Sequence, residues 1–229
     1  MRRILALDTS SNACSVALAL GNHRIHRFAL TPRGHMQRLL PMVHEVLAEA
    51  GIGASELDCF AFGRGPGSFT GLRVATGVVQ GLAFGADRPV IPVSSLATIA
   101  QGFARSHAEF SGTLAVAVDA RMDEIYGARF SVDGNRVTAL GDELLVAVDQ
   151  WPAALCEADA ICGSGWQLAP SGIERASVCQ IDIEPDAQDV LTLALQGDVM
   201  PICATQALPV YLRDSVSWQK RTRVRTTSL

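Results

Sequence analysis

The residues whose types and spacing most suggest chemistry form one block, Gly63-Arg-Gly-Pro-Gly-Ser-Phe-Thr-Gly71. The apolar run Leu57 to Phe62 before it reads as a buried strand. Leu72 to Phe84 after it lacks proline and is poor in charge, so it reads as a helix. A glycine-rich turn between strand and helix leaves bare N–H groups at the positive helix end, and the chemistry this allows is anion binding. Gly63, Gly65 and Gly67 permit backbone angles that a side chain forbids. Ser68 or Thr70 can cap the helix. The spacing matches neither phosphate-loop pattern: no Gly-Lys-Ser/Thr occurs, and Ser68 stands where a dinucleotide fingerprint has its third glycine. The other reading is a strand-to-helix turn whose glycines serve packing.

Two aspartates close apolar strands. Ile4-Leu-Ala-Leu-Asp8 leads into Thr9-Ser10-Ser11, and Leu114-Ala-Val-Ala-Val-Asp119 leads into Ala-Arg-Met-Asp123. Such carboxylates can order Mg²⁺ through water while hairpin N–H groups hold phosphates; they also serve simply as turn caps. The first hairpin has no lysine or glycine pair and the second is not glycine-rich. The nucleotide-binding candidates are therefore Asp8, Thr9, Ser10 and Asp119, for weak ATP or ADP with Mg²⁺, and no tightly bound cofactor is expected. His35 and His44 share an expected helix, but nine steps of about 100° put them on opposite sides. His23, His26 and His107 have no Cys or acid at ligand spacing, so no metal site is expected. Ser68 lacks a histidine nearby in sequence, and Gly163-Ser-Gly165 is not a nucleophile elbow. Ser68 reads as a helix cap, and no catalytic residue is assigned.

The positioning elements follow from periodicity. Arg3–Leu7, Cys14–Leu20 and His23–Leu30 read as an antiparallel meander, and His35 to Ala50 as a helix bent at Pro41 and stopped by Gly51 and Gly53. Pro89 to Val93 is a strand, with Ser94 or Ser95 capping a helix to about Arg105. The pattern restarts at Thr113 with strands 114–119, 125–131 and 136–140. A helix near 150–157, a strand at 160–162 and a helix at 186–195 follow. These are two similar α/β lobes, 1–106 and 107–229, the second a looser and smaller copy with a basic tail from Lys220. In the helix after the glycine block, Gly77, Gly81 and Gly85 recur every four residues and share a face. Each costs about 1 kcal/mol against alanine. That face therefore meets another backbone, either inside the molecule or on a docked subunit.

Composition sets outer limits. The chain has 229 residues, 48% hydrophobic and 18% charged, with net charge −4. This argues against holding nucleic acid alone through phosphates, and 6% aromatics against a base-stacking platform. Cys14, Cys59, Cys156, Cys162, Cys179 and Cys203 contain no Cys-x-x-Cys and read as reduced thiols of a cytoplasmic protein. The N-terminal apolar run is too short for a signal peptide, and no stretch is long enough to span a membrane.

Two lobes in this order resemble the actin, Hsp70 and sugar-kinase superfamily, with the aspartate hairpins in the places of its two phosphate hairpins. A closer likeness is carried by Ile4-Leu-Ala-Leu-Asp-Thr-Ser10, Ala13-Cys-Ser-Val-Ala-Leu18, Arg38-Leu-Leu-Pro41, the Gly63–Arg73 block, Asp119-Ala-Arg-Met122 and Pro209-Val-Tyr-Leu-Arg213. These span nearly the whole chain and resemble the TsaB (YeaZ) family, also called M22 glycoprotease-like. The resemblance implies a non-catalytic partner of a TsaD-like subunit in making threonylcarbamoyladenosine beside the tRNA anticodon. It also implies a TsaE-like ATPase bound to that pair, and contact with tRNA through the complex. The N-terminal lobe would carry the pairing, with Met36, Leu40, Gly71, Val74, Val78 and Gly81 as the expected partner-binding residues. Alone, the same surface would form a symmetric homodimer. The alternative is a nucleotide-dependent phosphotransferase or ATPase of the same fold.

Overall fold

A computed structural model of the chain describes residues 2–170, 176 and 178–213. The expected basic segment from Lys220 lies outside the described residues. Strands β1 (Arg3–Asp8), β2 (Ala13–Leu20) and β3 (His23–Leu30) form the expected meander, followed by helix α1 (His35–Ala50). Next come β4 (Cys59–Gly65), α2 (Phe69–Ala86), β5 (Val90–Ser94) and α3 (Ser95–Ser106). The second half contains β6 (Ser111–Arg121), β7 (Glu124–Asp133), β8 (Arg136–Ala139), β9 (Leu144–Ala147), α4 (Ala153–Cys156), β10 (Ala160–Cys162), β11 (Val178–Gln180) and α5 (Ala187–Gln196).

The two halves repeat one topology. The first sheet runs β3-β2-β1-β4-β5, with β1–β2 and β2–β3 antiparallel and β1–β4 and β4–β5 parallel. The second runs β8-β7-β6-β10-β11 with the same sequence of directions, and β9 pairs with β7 in addition. The fold is thus two-lobed α/β with duplicated sheets.

Strand alternation decides the layers. Leu5, Leu7, Val16, Leu18, Phe60 and Phe62 point to one face of the first sheet and pack with Leu39, Val43, Val46 and Val79 of α1 and α2. Ile4, Ala6, Ala17, Ala19 and Ala61 point to the other face, where α3 and α5 lie between the two sheets and meet Leu114, Val116, Ala128 and Phe130 of the second. The far face of the second sheet packs Ala115, Ala117, Ile125 and Ile161 around Trp166 and Leu155.

Several local expectations need correction. β4 continues through Gly65, so the turn is only Pro66 to Ser68 and α2 begins at Phe69. Strand pairing with β5 reaches as far as Gly65–Ser94 and ties these glycines into the sheet. α1 spans His35–Ala50 with Pro41 inside it, as expected. The helix expected at 150–157 is a 3-10 turn, Val148–Gln150, followed by the four-residue α4. A division of the chain at 106/107 remains a proposal: it separates the sheets, while α5 and the segment after it pack on the first one. The Ala187 N–H donates to Ser15 Oγ at 2.8 Å. Val90 and Ile202 pair as an antiparallel bridge, and Ala204 and Ala207 join the α1–α2 core.

Candidate functional site

The glycine block is folded onto the first aspartate hairpin. A Cβ on Gly63 would overlap Asp8 Oδ2, one on Gly67 would overlap the Ser10 carbonyl oxygen, and one on Gly71 the Thr9 carbonyl oxygen. Hydrogen bonds seal the contact. The Ser68 N–H donates to the Ser10 carbonyl at 2.7 Å, and Thr9 Oγ1 donates to the Gly71 carbonyl at 2.7 Å. Ser68 Oγ accepts from the Gly71 N–H at 3.3 Å, the expected N-cap. The glycines thus serve close packing against the chain's own backbone, and the α2 N-terminus is turned to that contact.

Asp8 is wholly enclosed, and Thr9 and Ser10 are buried beside it. Asp8 Oδ1 accepts from the Ser10 N–H and Ser10 Oγ, both at 2.8 Å. Asp8 Oδ2 is buried with no hydrogen-bond partner among the described residues. Burial raises the Asp8 carboxyl to about 6, and the two Ser10 hydrogen bonds only partly oppose it. Within the hairpin, the Ser10 N–H and hydroxyl are taken up by Asp8 and the Ser10 carbonyl by the Ser68 N–H.

The second hairpin is more open. Asp119 Oδ1 accepts from the Arg121 N–H at 2.7 Å, and its other oxygen pairs with the Arg121 guanidinium at 2.9 Å. A glycine turn supports it as in the first lobe: a Cβ on Gly165 would come within 2.8 Å of the Ala117–Val118 peptide, and Ser164 Oγ accepts from the Asp119 N–H at 3.3 Å. His35 is buried and His44 exposed, on opposite sides of α1 as the spacing requires. Among the described residues no group of three or more His, Cys, Asp or Glu is placed to hold an ion. No described helix is long and apolar enough to cross a membrane.

The outward side of α1 and α2 has a different character. Met36 and Leu40 on α1 are exposed, and so is Phe84 on α2. A Cβ on Gly77, Gly81 or Gly85 would meet nothing within 4 Å, so the glycine stripe opens to the outside. Val74 and Val78 are half-buried along its edge. Of the expected partner-binding residues, Met36, Leu40, Val74, Val78 and Gly81 lie toward this side. Gly71 does not: it is buried against Thr9. Phe84, at the far end of the stripe, is not among the expected residues. Its place three residues after Gly81 and beside Gly85 is the signal that could have found it.

Three side-chain constellations escaped sequence reasoning. Arg64, inside the glycine block, forks onto both oxygens of Glu143 at 3.2 Å, and the same carboxylate takes a hydrogen bond from Ser94 Oγ. Arg73 lies 3.8 Å over the Phe69 ring and donates to Tyr211 Oη at 3.2 Å. Arg213 reaches Glu124 and the turn before it. The partners are 79, 138 and 89 residues apart, and no local periodicity links them.

Residues 29–167 match the family model for TsaD, tRNA N6-adenosine threonylcarbamoyltransferase. The chain is 39% identical over 228 residues to the tRNA threonylcarbamoyladenosine biosynthesis protein TsaB of Escherichia coli, covering 95% of this chain and 97% of that one. It is 39% identical to the Haemophilus influenzae protein of the same name, covering 95% and 96%. Among solved structures, YeaZ from Pseudomonas aeruginosa is 41% identical with a TM-score of 0.80, over 93% of this chain and 100% of that one.

Proposed function

This chain belongs to the TsaB (YeaZ) family, and on that premise we propose that it acts in the synthesis of threonylcarbamoyladenosine in tRNA as a non-catalytic subunit. It docks a TsaD-like catalytic subunit on the outward face of α1 and α2. The observation that carries this reading is the open space around Gly77, Gly81 and Gly85. Glycine in mid-helix lowers stability without a compensating internal contact, and close backbone approach by a second protein supplies the missing reason. The flanking Met36, Leu40 and Phe84 add the apolar area that association needs.

The buried state of Asp8 supports the non-catalytic part. A Mg-nucleotide at that carboxylate would first have to part the hairpin from the glycine block. Weak ATP or ADP binding, a TsaE-like ATPase on the assembled pair, and tRNA contact through the complex belong to the same proposal. In the absence of its partner, the face pairs with a second copy of this chain.

Co-purification tests the reading. Wild-type chain is expected to retain a TsaD-like subunit and to restore threonylcarbamoyladenosine in a depleted strain, and Gly81→Leu is expected to do neither. Turnover of Mg-ATP by the isolated chain, with no such pairing, would replace this reading with the nucleotide-dependent enzyme.

A further inference from the structure

The β6–β7 turn holds three consecutive residues in the left-handed region, Arg121 (φ 64°), Met122 (φ 59°) and Asp123 (φ 57°), and none is glycine. A two-residue hairpin connection needs positive φ at its central residues, which is why Asn-Gly and Asp-Gly dominate such turns. Side-chain-bearing residues adopt this region at a cost and persist there only when the surroundings hold them. Here the holding group is Arg213, 89 residues from Glu124 along the chain. Arg213 Nη2 donates to the Ala120 and Arg121 carbonyls at 3.2 and 3.3 Å, and its guanidinium also binds the Glu124 carboxylate, at 3.0 Å through Nε. The Asp119 carboxylate accepts from the Arg121 N–H at 2.7 Å.

Arg213 belongs to a strap, residues 202–213, laid across the first lobe. Ile202 pairs with Val90 of β5. The Ala207 carbonyl accepts from Gln80 Nε2 of α2 at 2.7 Å. The Val210 N–H donates to the Arg64 carbonyl at 2.7 Å. Tyr211 Oη accepts from Arg73 of α2. The strap is therefore tied to β5, α2 and β4, and at Arg213 it reaches the positive-φ turn of the second lobe.

We propose that the β6–β7 turn is a two-state element whose left-handed state is held by Arg213, and that the strap couples this turn to α2. Arg213 is a positioning residue: it acts through the turn backbone. The coupling half rests on the docking reading of α2, whereas the clamp half concerns the lone chain.

Hydrogen exchange of the 120–124 amides tests both halves. In the lone chain, Arg213→Ala is expected to speed exchange there at least tenfold. Met122→Gly in the same background is expected to restore slow exchange, because glycine adopts positive φ unaided. A role of Arg213 in packing or ion pairing alone would not be rescued by that glycine. Unchanged exchange in Arg213→Ala, or failure of the rescue, overturns the clamp. With the catalytic subunit bound to wild-type chain, exchange at 120–124 is expected to shift at least threefold, and the shift is expected to vanish in Arg213→Ala. Pairing without any shift overturns the coupling. Absence of pairing removes the docking reading and the coupling together, while the lone-chain result still decides the clamp.

Discussion

Asp8 and Gly63 compete for one volume: the Oδ2 atom of Asp8 fills the space that a side chain on residue 63 would need. Gly63→Ala must therefore displace a buried carboxyl or the strand that carries it. Overpacking of this kind costs about 1–3 kcal/mol. Chemical denaturation should show that loss, and a second change, Asp8→Gly, should relieve part of it, because the two residues share the site.

Asp8 also makes stability depend on pH. Its carboxyl moves from the ordinary 3.8 to about 6 on burial, so the folded state favours the protonated form. The resulting stabilisation is fully present below about pH 3.8 and is lost as pH rises through about 6. The shift corresponds to ~3 kcal/mol. Asp8→Asn keeps an acceptor for Ser10 and carries no charge. Its gain over wild type in urea denaturation should therefore be larger well above the folded-state value than well below it. Equal gains on both sides would contradict the assignment.

Gly81 separates folding from pairing. A Cβ there meets nothing within 4 Å, so Gly81→Ala should stabilise the lone chain by about 1 kcal/mol through helix propensity. That raises Tm by about 2–4 °C in a chain of this size. Gly81→Leu should leave the lone chain folded and weaken pairing at least tenfold in a binding titration. Val74→Glu should do the same by charging the edge of that face. Loss of folding without loss of pairing would show that the helix face is internal.

Arg64 and Glu143 bind the two lobes beside a cleft of about 750 Å³ that both residues line. The pair is half-buried, bidentate and shared with Ser94. A charge-assisted bond of this kind contributes about 1.5–3 kcal/mol. Glu143→Ala and Arg64→Ala should each lower stability by an amount of that order, and a double-mutant cycle should return a coupling of about 1 kcal/mol. A coupling near zero would show that the two side chains act independently.

Much of the first lobe was legible along the chain. Short runs joined by tight turns marked β1 to β3, helical spacing marked α1, and the pairs Ser68/Thr70 and Ser94/Ser95 announced helix caps that Ser68 and Ser94 supply, because each of these signals is satisfied by neighbours a few residues away. The second lobe was legible in outline through Asp119 and the strand before it. β9 and β11, of four and three residues, were not among the expected strands.

The glycines mark the boundary of what residue order could settle. Gly63 and Gly67 read as turn or packing glycines and Gly77, Gly81 and Gly85 as points of close approach; Gly63, Gly67 and Gly71 admit the chain's own hairpin, and Gly77, Gly81 and Gly85 open outward. Glycine states that a side chain is not tolerated or not needed, and it is silent about what comes near. That depended on how the first sheet sets the β1–β2 hairpin against the α2 N-terminus. The contacts of Arg64 with Glu143 and of Arg213 with the β6–β7 turn depended likewise on two lobes meeting, since a guanidinium finds a carboxylate across space with no constraint on the number of residues between them.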